Sequence, residues 1–374
     1  MKRGQYVIAG IGETAFGKLG LDTVSLNVEA CSHALADAGI DKEAVDALLL
    51  KTPTSNREIL YGQKVAEAMG LQPRWGGAWD QGGAANVSLI AMAMMAIETG
   101  QCEVALVSYA DNPRTGSRDV YARPRGNDAP YGWFSTAAGY GMIQRRHMHE
   151  YATPQSAFGA VAVAARRHGA VNPGAQLRKP LTAEAYLQSP FVVDPLRRDD
   201  CCLVSDGAAA VVVMSAARAR TLGVKAPVPI LGVGSGHTSW DLPVRTTLTS
   251  TAAVRAGRLA FDMAGLSPAD VDVAQLYDCF TITVLMTLED YGFCRKGEVA
   301  GFVSDGKIEI GGKLPVNTAG GLLSETGTPG MQLVTEGVRQ IRGTANLQVP
   351  NADVCLVSNQ GGVMHTHSTL ILGN

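Results

Sequence analysis

The sequence lacks a dominant charge: 32 Lys and Arg residues stand against 34 Asp and Glu, a formal net charge of −2. It therefore has no basic field of the kind that holds nucleic acid or an anionic lipid surface. No stretch approaches the ~18 apolar residues that span a bilayer. The apolar part of MKRGQYVIAG is too short for a signal peptide before Gly10 and Gly12 interrupt it. A cytoplasmic protein without a membrane span is expected. The seven cysteines are an odd and scattered set. Only Cys201 and Cys202 are adjacent, which suits neither a zinc knuckle nor an ordinary disulfide. They read as reduced thiols that mostly pack, and no metal site is expected. Low-complexity sequence is also absent. The chain is instead rich in apolar residues, at 46%, and in glycine, at 43 of 374 residues. That suffices for a large core with many tight turns.

The chain resembles itself. HALADAGIDKEAVDALLL (33–50) lies over RLAFDMAGLSPADVDVAQL (258–276) with Gly39 on Gly265, Asp46 on Asp272 and Leu50 on Leu276. Each copy reads as an amphipathic helix closed by glycine, a short acidic turn and a strand. VIAGIG (7–12) matches PILGVGSG (229–236), and CEVALVSYADN (102–112) matches ADVCLVSNQGG (352–362), with Ser108 on Ser358. Three matches in one order predict two halves, 1–223 and 224–374, built from parallel or mixed sheets covered by helices. An insertion at about 112–195, rich in Arg, Tyr, Gly and Pro, interrupts the first half. Helical patterns are expected there at 137–152 and 156–170. Such an excursion usually overlies a binding site.

Several short motifs occur in an order and spacing that carry a resemblance. SDGAAA (205–210) closes the first half, YDCF (277–280) follows a second-half strand, and LPVNTAGGLLSETGTPG (314–330) precedes SNQGG (358–362). Together they resemble the thiolase superfamily nearly end to end, within its lipid-transfer-like subgroup. The resemblance implies an α/β thiolase fold of two duplicated halves in five layers (α/β/α/β/α) with a loop domain. A homodimer is expected, because the sheet edges otherwise lie exposed.

Two family residues are missing. The nucleophilic cysteine would fall near Gly83 in DQGGAANVSL, yet no cysteine occurs between Cys31 and Cys102. No histidine occurs between Asn317 and Met331, and a gapless alignment puts Gly327 at the place of the GHP histidine. Acyl-enzyme chemistry at the usual position is excluded. Backbone N–H groups around Gly83 and Ala84, at a helix start, remain suited to a thioester oxygen or enolate. The expected CoA-contacting set is Gly83, Ala84, Gly327, Ser358, Asn359, Gly361 and Gly362. Expected catalytic groups are Tyr277, at the position of the family's Asn or His, with His365 or His367, only one of which is expected to enter the pocket. Asp278 either orients Tyr277 or caps the helix after Phe280. Cys279 is not expected to be a nucleophile, and His147 and His149 are expected to be packing or surface residues. Arg114, Arg118, Arg123, Arg125, Arg145 and Arg146 are candidates for coenzyme A phosphates.

GGLLSETGTPGMQLVTEGVRQIRGTA (320–345) looks like the steroid side-chain aldolases. The resemblance implies retro-aldol cleavage of a 3-hydroxyacyl-CoA with a small zinc-ribbon/OB-fold partner of DUF35 type. No cofactor would be permanently bound, the CoA thioester being the substrate. Those aldolases carry a tyrosine at the GHP-histidine position, where this chain departs from them. An acyl-CoA acyltransferase of the acetyltransferase type and a non-catalytic CoA-ester or lipid carrier are the alternatives.

Overall fold

The computed structural model describes residues 1–119, 130–133, 135–239 and 242–374. Each half opens on a glycine-bearing strand, β1 (Tyr6–Glu13) with Gly10 and Gly12 and β8 (Val228–His237) with Gly232, Gly234 and Gly236. A β-carbon on Gly12 would lie 2.1 Å from the Ala30 carbonyl oxygen, and one on Gly234 2.0 Å from that of Ala256. The missing side chains let the alanine-faced helices α1 (Thr23–Ala38) and, later in the chain, α6 (Ala253–Ala264) lie directly on their strands. Both helices end on left-handed glycine, Gly39 at φ 66° and Gly265 at φ 64°. The acidic turns also match. Asp46 accepts the N–H groups of Glu103 and Val104 at 3.0 and 2.9 Å, and Asp272 those of Asp353 and Val354 at 2.9 and 2.8 Å. Each aspartate thereby joins the start of one strand to the next: β2 (Ala47–Lys51) to β4 (Val104–Asp111), and β9 (Val273–Leu276) to β10 (Val354–Gly361).

With β3 (Trp75–Trp79), β7 (Gly207–Ser215) and β11 (Thr366–Gly373), these strands form one nine-stranded sheet in the order β3-β2-β4-β7-β1-β8-β11-β10-β9. The runs β2-β4-β7-β1 and β9-β10-β11-β8 repeat one plan, and Leu50 opposite Ser108 corresponds to Leu276 opposite Ser358. The halves meet where Tyr6–Ile8 of β1 pairs with β8.

Three buried clusters set the layers. The helices α1 and α2 (Tyr61–Met69) cover the outer face of the first half. Next, α3 (Ala85–Glu98) and α9 (Gln332–Arg342) fill the middle between the two sheet halves. Finally α6 and α7 (Thr281–Asp290), with the insertion helices α4 (Thr136–Tyr151) and α5 (Gln155–Val171), cover the second half. A one-turn helix, α8 (Gly321–Ser324), precedes α9, and a small hairpin, β5 (Phe191–Val193) with β6 (Leu196–Arg197), closes the insertion. The five-layer duplicated architecture is therefore present. His147 is fully buried, with Nε2 3.1 Å from Glu289 of α7 and Nδ1 2.9 Å from the Thr153 hydroxyl, so it pins the insertion to the second half. Among the described residues no helix is long and apolar enough to cross a membrane.

Candidate active site

Two glycine turns and a tyrosine meet where α3 begins. Tyr277 follows β9, and its N–H donates to the Ser358 carbonyl at 3.0 Å, which carries the β9–β10 pairing one residue further. Its ring is thereby delivered to the first-half turn. A β-carbon on Gly83 would lie 2.5 Å from the Tyr277 hydroxyl and 2.4 Å from the Gln360 carbonyl oxygen. One on Gly82, at φ 57°, would lie 2.8 Å from the Gly361 α-carbon. The turn is held from below by β11, whose Thr366 hydroxyl donates to Gln81 O at 3.1 Å and whose Ser368 hydroxyl donates to Ala84 O at 2.7 Å. No side chain caps α3 at Ala84; the Ala85 N–H donates to the Gly82 carbonyl at 3.2 Å, and those of Asn86 and Val87 are the first-turn groups suited to an oxygen ligand.

Sequence reasoning missed Asn86, whose signal was a polar side chain in the first turn of an otherwise apolar helix. Asn86 and Asn359 are both fully buried and converge on Gly330. A β-carbon on Gly330 would meet Tyr277 Cε2 at 2.7 Å, Asn86 Nδ2 at 3.1 Å and Asn359 Nδ2 at 3.6 Å. Asn86 Nδ2 donates to the Pro329 carbonyl at 3.2 Å, and Asn359 Nδ2 to that of Gly330, also at 3.2 Å. A carbonyl can only accept, so these contacts fix which end of each amide is nitrogen. The two Oδ1 atoms are left buried with no hydrogen-bond partner among the described residues.

Of the two histidines, only His365 adjoins the glycine loop, where a β-carbon on Gly362 would strike its ring. The expectation that His365 and His367 leave opposite faces is corrected by strand geometry, in which residues two apart share a side. Since Thr366 and Ser368 face the Gly83 turn, His367 faces away from it. Its Nε2 lies 2.7 Å from the Ser358 hydroxyl and 3.0 Å from that of Tyr291. Burial pulls its pKa down to about 3, which leaves a neutral and weakly basic imidazole. Ser358, bonded to it, shares that far face. His365 sits in the turn before β11, with Nδ1 2.6 Å from Arg245 Nη2 and 2.9 Å from the Ser239 carbonyl.

Asp278 is a cap, but of a different helix from the one expected. Its oxygens accept the N–H groups of Leu322 at 2.7 Å and Leu323 at 3.3 Å, at the start of α8, while α7 begins without a side-chain cap at Phe280. Burial pushes the carboxyl from 3.8 up to about 7, against the pull of those N–H groups. The folded state therefore binds this proton more tightly than the unfolded chain. The associated stability is complete below about pH 4 and is lost as pH rises through about 7. Asp278→Asn should accordingly gain melting temperature relative to the parent between pH 5.5 and 8.5. A pH-independent difference between the two proteins would contradict this.

Cys279 is half-buried, and desolvation raises its thiol well above the ordinary value. It accepts from Gln360 Nε2 at 2.9 Å and donates to the Tyr140 hydroxyl at 3.4 Å. Tyr140, also missed in the sequence, stacks on Phe280 and donates to the Gly362 carbonyl at 2.7 Å, bracing the glycine loop. Gly327 donates its N–H to the Ser205 hydroxyl at 3.2 Å, and a β-carbon there would strike Leu203 O at 1.7 Å. The glycine beside Tyr277 is thus Gly330. Arg145 and Arg146 line a groove of about 530 Å³ between α4, the β5–β6 hairpin and Leu248. They pair with Asp194 at 2.8 Å and Glu150 at 2.6 Å. Gly139 of α4 packs against Val363, next to the glycine loop. Arg114 reaches the Val204 carbonyl at 3.2 Å, Arg118 is exposed, and Arg123 and Arg125 lie outside the described residues. Among the described residues no group of three or more His, Cys, Asp or Glu side chains is arranged to hold a metal ion.

Residues 234–374 match the thiolase C-terminal domain-like family. A 17-hydroxy-3-oxo-4-pregnene-20-carboxyl-CoA lyase of Mycobacterium tuberculosis is 40% identical, with 100% of both chains covered. A steroid side-chain-cleaving aldolase of Thermomonospora curvata is 38% identical over 99% of this chain and 98% of its own. The solved structure of an Ltp2-ChsH2(DUF35) aldolase superposes with a TM-score of 0.91 at 37% identity, covering 100% of this chain and 98% of that one. With this similarity running end to end over a duplicated five-layer fold, the chain belongs to the thiolase superfamily, in the group that contains the steroid side-chain-cleaving aldolases.

Proposed function

We infer that this protein is a CoA-dependent aldolase that cleaves the Cα–Cβ bond of a 3-hydroxyacyl-CoA in side-chain degradation. The observation that carries the reading is the Tyr277 hydroxyl lying against Gly83, where the superfamily's nucleophile would stand. A phenol hydroxyl both accepts and donates, so it suits a proton relay and not acyl transfer. In the proposed step the Tyr277 oxygen, having given up its own proton, takes that of the substrate's β-hydroxyl, which becomes a carbonyl. The Cα–Cβ electron pair moves to Cα as a thioester enolate, whose oxygen the N–H groups at the start of α3 stabilise. Tyr277 returns a proton to Cα, so a ketone or aldehyde and a shortened acyl-CoA leave with no net acid or base consumed. His367, on the far face of β11, takes no part in this step, while His365 lies against Gly362 of the glycine loop. The coenzyme A chain is proposed to run along the groove beside Arg145 and Arg146, whose guanidinium groups suit its phosphates.

Two partners belong to the same reading. A DUF35-type subunit, expected to be a zinc ribbon with an OB fold, is supported by the structural relative, an Ltp2-ChsH2(DUF35) aldolase. A homodimer is supported by β3, the edge of the sheet, beside which Ile59 and Leu60 are 86% and 66% exposed. Incubation with 3-hydroxyacyl-CoA, alone and with the DUF35-type subunit, should give a carbonyl product and shortened acyl-CoA, with most of the activity in the complex. Acyl exchange, binding without turnover, or full turnover by the single chain would each count against the reading.

A further inference from the structure

We propose that Arg245 is a positioning residue for the cleavage step, holding the glycine loop beside the Gly83 turn in the shape that turnover requires. The inference rests on the aldolase reading above and adds a residue that its mechanism does not use. Arg245 lies between β8 and α6. Its Nη2 donates to the Val363 carbonyl at 2.5 Å and stands 2.6 Å from His365 Nδ1. One guanidinium therefore grips the loop at two points, two residues apart. The loop in turn abuts the first-half turn, since a β-carbon on Gly82 would lie 2.8 Å from the Gly361 α-carbon and 3.0 Å from the Gly362 nitrogen.

The grip decides how the loop's peptide groups point. In a planar trans peptide the N–H is directed opposite to the carbonyl of the preceding residue, so fixing one carbonyl also aims the next amide. Three successive carbonyls are fixed here. Gly361 O accepts the His365 N–H at 2.9 Å, Gly362 O the Tyr140 hydroxyl at 2.7 Å, and Val363 O the Arg245 guanidinium. The last of these aims the Met364 N–H at Gln360 Oε1, 3.1 Å away, and Gln360 Nε2 donates to the Tyr140 hydroxyl at 2.9 Å. The contacts thus close on the residue that braces Gly362. Met364 is buried and left-handed, at φ 57°, a conformation that a non-glycine residue keeps only where its surroundings impose it. Arg245 supplies the charge-assisted bond among those that impose it. Burial pulls its guanidinium down to about 10, so it remains a cation at neutral pH.

The test uses the complex with the DUF35-type subunit. Arg245→Ala should lower kcat for cleavage of a 3-hydroxyacyl-CoA by about 10–100-fold, the scale of an ångström-sized misplacement. KM should stay within about threefold, because the substitution leaves the start of α3 and the groove beside Arg145 alone. Methylguanidinium, small enough for the space the substitution opens, should restore part of the lost turnover. Arg245→Lys should fall between parent and Arg245→Ala, because an ammonium is a point donor and not a fork. Hydrogen exchange reads the loop without any turnover. Residues 359–366 should exchange faster in Arg245→Ala and slow again with methylguanidinium. Parental kcat in a folded Arg245→Ala, a loss that methylguanidinium does not restore, or unchanged exchange across 359–366 would each overturn the proposal. Should Arg245→Ala fail to fold, Arg245→Lys decides, and parental kcat or parental exchange in that variant would overturn it. A parent complex that cleaved no ester would remove the aldolase reading by itself, since exchange would still judge the grip on the loop.

Discussion

Tyr277→Phe should slow carbon–carbon cleavage by about 10²–10⁴-fold, the usual worth of a positioned acid–base group, while leaving affinity for the CoA thioester within about twofold. The substitution removes one oxygen. The ring still packs on Gly330, and the Tyr277 N–H still donates to the Ser358 carbonyl, so these two anchors of the turn are kept. A loss confined to turnover is the signature of an interaction made in the transition state and not in the ground state. The measurement is single-turnover cleavage by the reconstituted complex beside titration of the ester. Near-parental turnover would place the chemistry in the partner subunit or in the Arg-rich insertion.

Gly83→Val is expected to be at least as damaging, and in a different way. Its β-carbon would fall 2.4 Å from the Gln360 carbonyl oxygen and 2.5 Å from the Tyr277 hydroxyl, both far inside contact distance. Relief requires the start of α3 and the glycine loop to separate by about an ångström, and misplacement on that scale costs on the order of 100-fold in rate. Ester affinity should fall together with turnover, because the same displacement moves the first-turn N–H groups of α3. Unchanged affinity and turnover in this variant would mean that the thioester lies somewhere else in the molecule.

Much of the fold was legible because its determinants are local and repeated. Gly39 and Gly265 announce helix ends by themselves, and the Asp46 and Asp272 turns follow at one spacing, so the duplication survives where most side chains differ. Tyr277 and Gly83 were singled out because the resemblance put both at pocket positions, and the structure lays one on the other. What failed depended on direction or on distant partners. Whether His367 faces the pocket turns on the phase of β11, which Ser368 settles by bonding Ala84 from the opposite side. That Asp278 caps α8 depends on backbone N–H groups more than forty positions later. Asn86 carries no local mark beyond its polarity, and its meaning appears only once Pro329 and Gly330 are beside it. Gly327 and Gly330 are three residues apart, and chain alignment cannot tell which one a tyrosine from another strand will touch.

The middle layer also bears on how this gene can be cut. α3 comes from the first half and α9 from the second, and they share one buried cluster with strands from both sides. Severing the linker at 224–227 would give two fragments that each carry a complete repeat yet expose an apolar face along its whole length. The repeats are units of ancestry and not of autonomous folding. A swapped or shuffled half would have to bring a matching inner helix face, so exchange between relatives is constrained at α3 and α9 more tightly than at the solvent-covered helices α1 and α6.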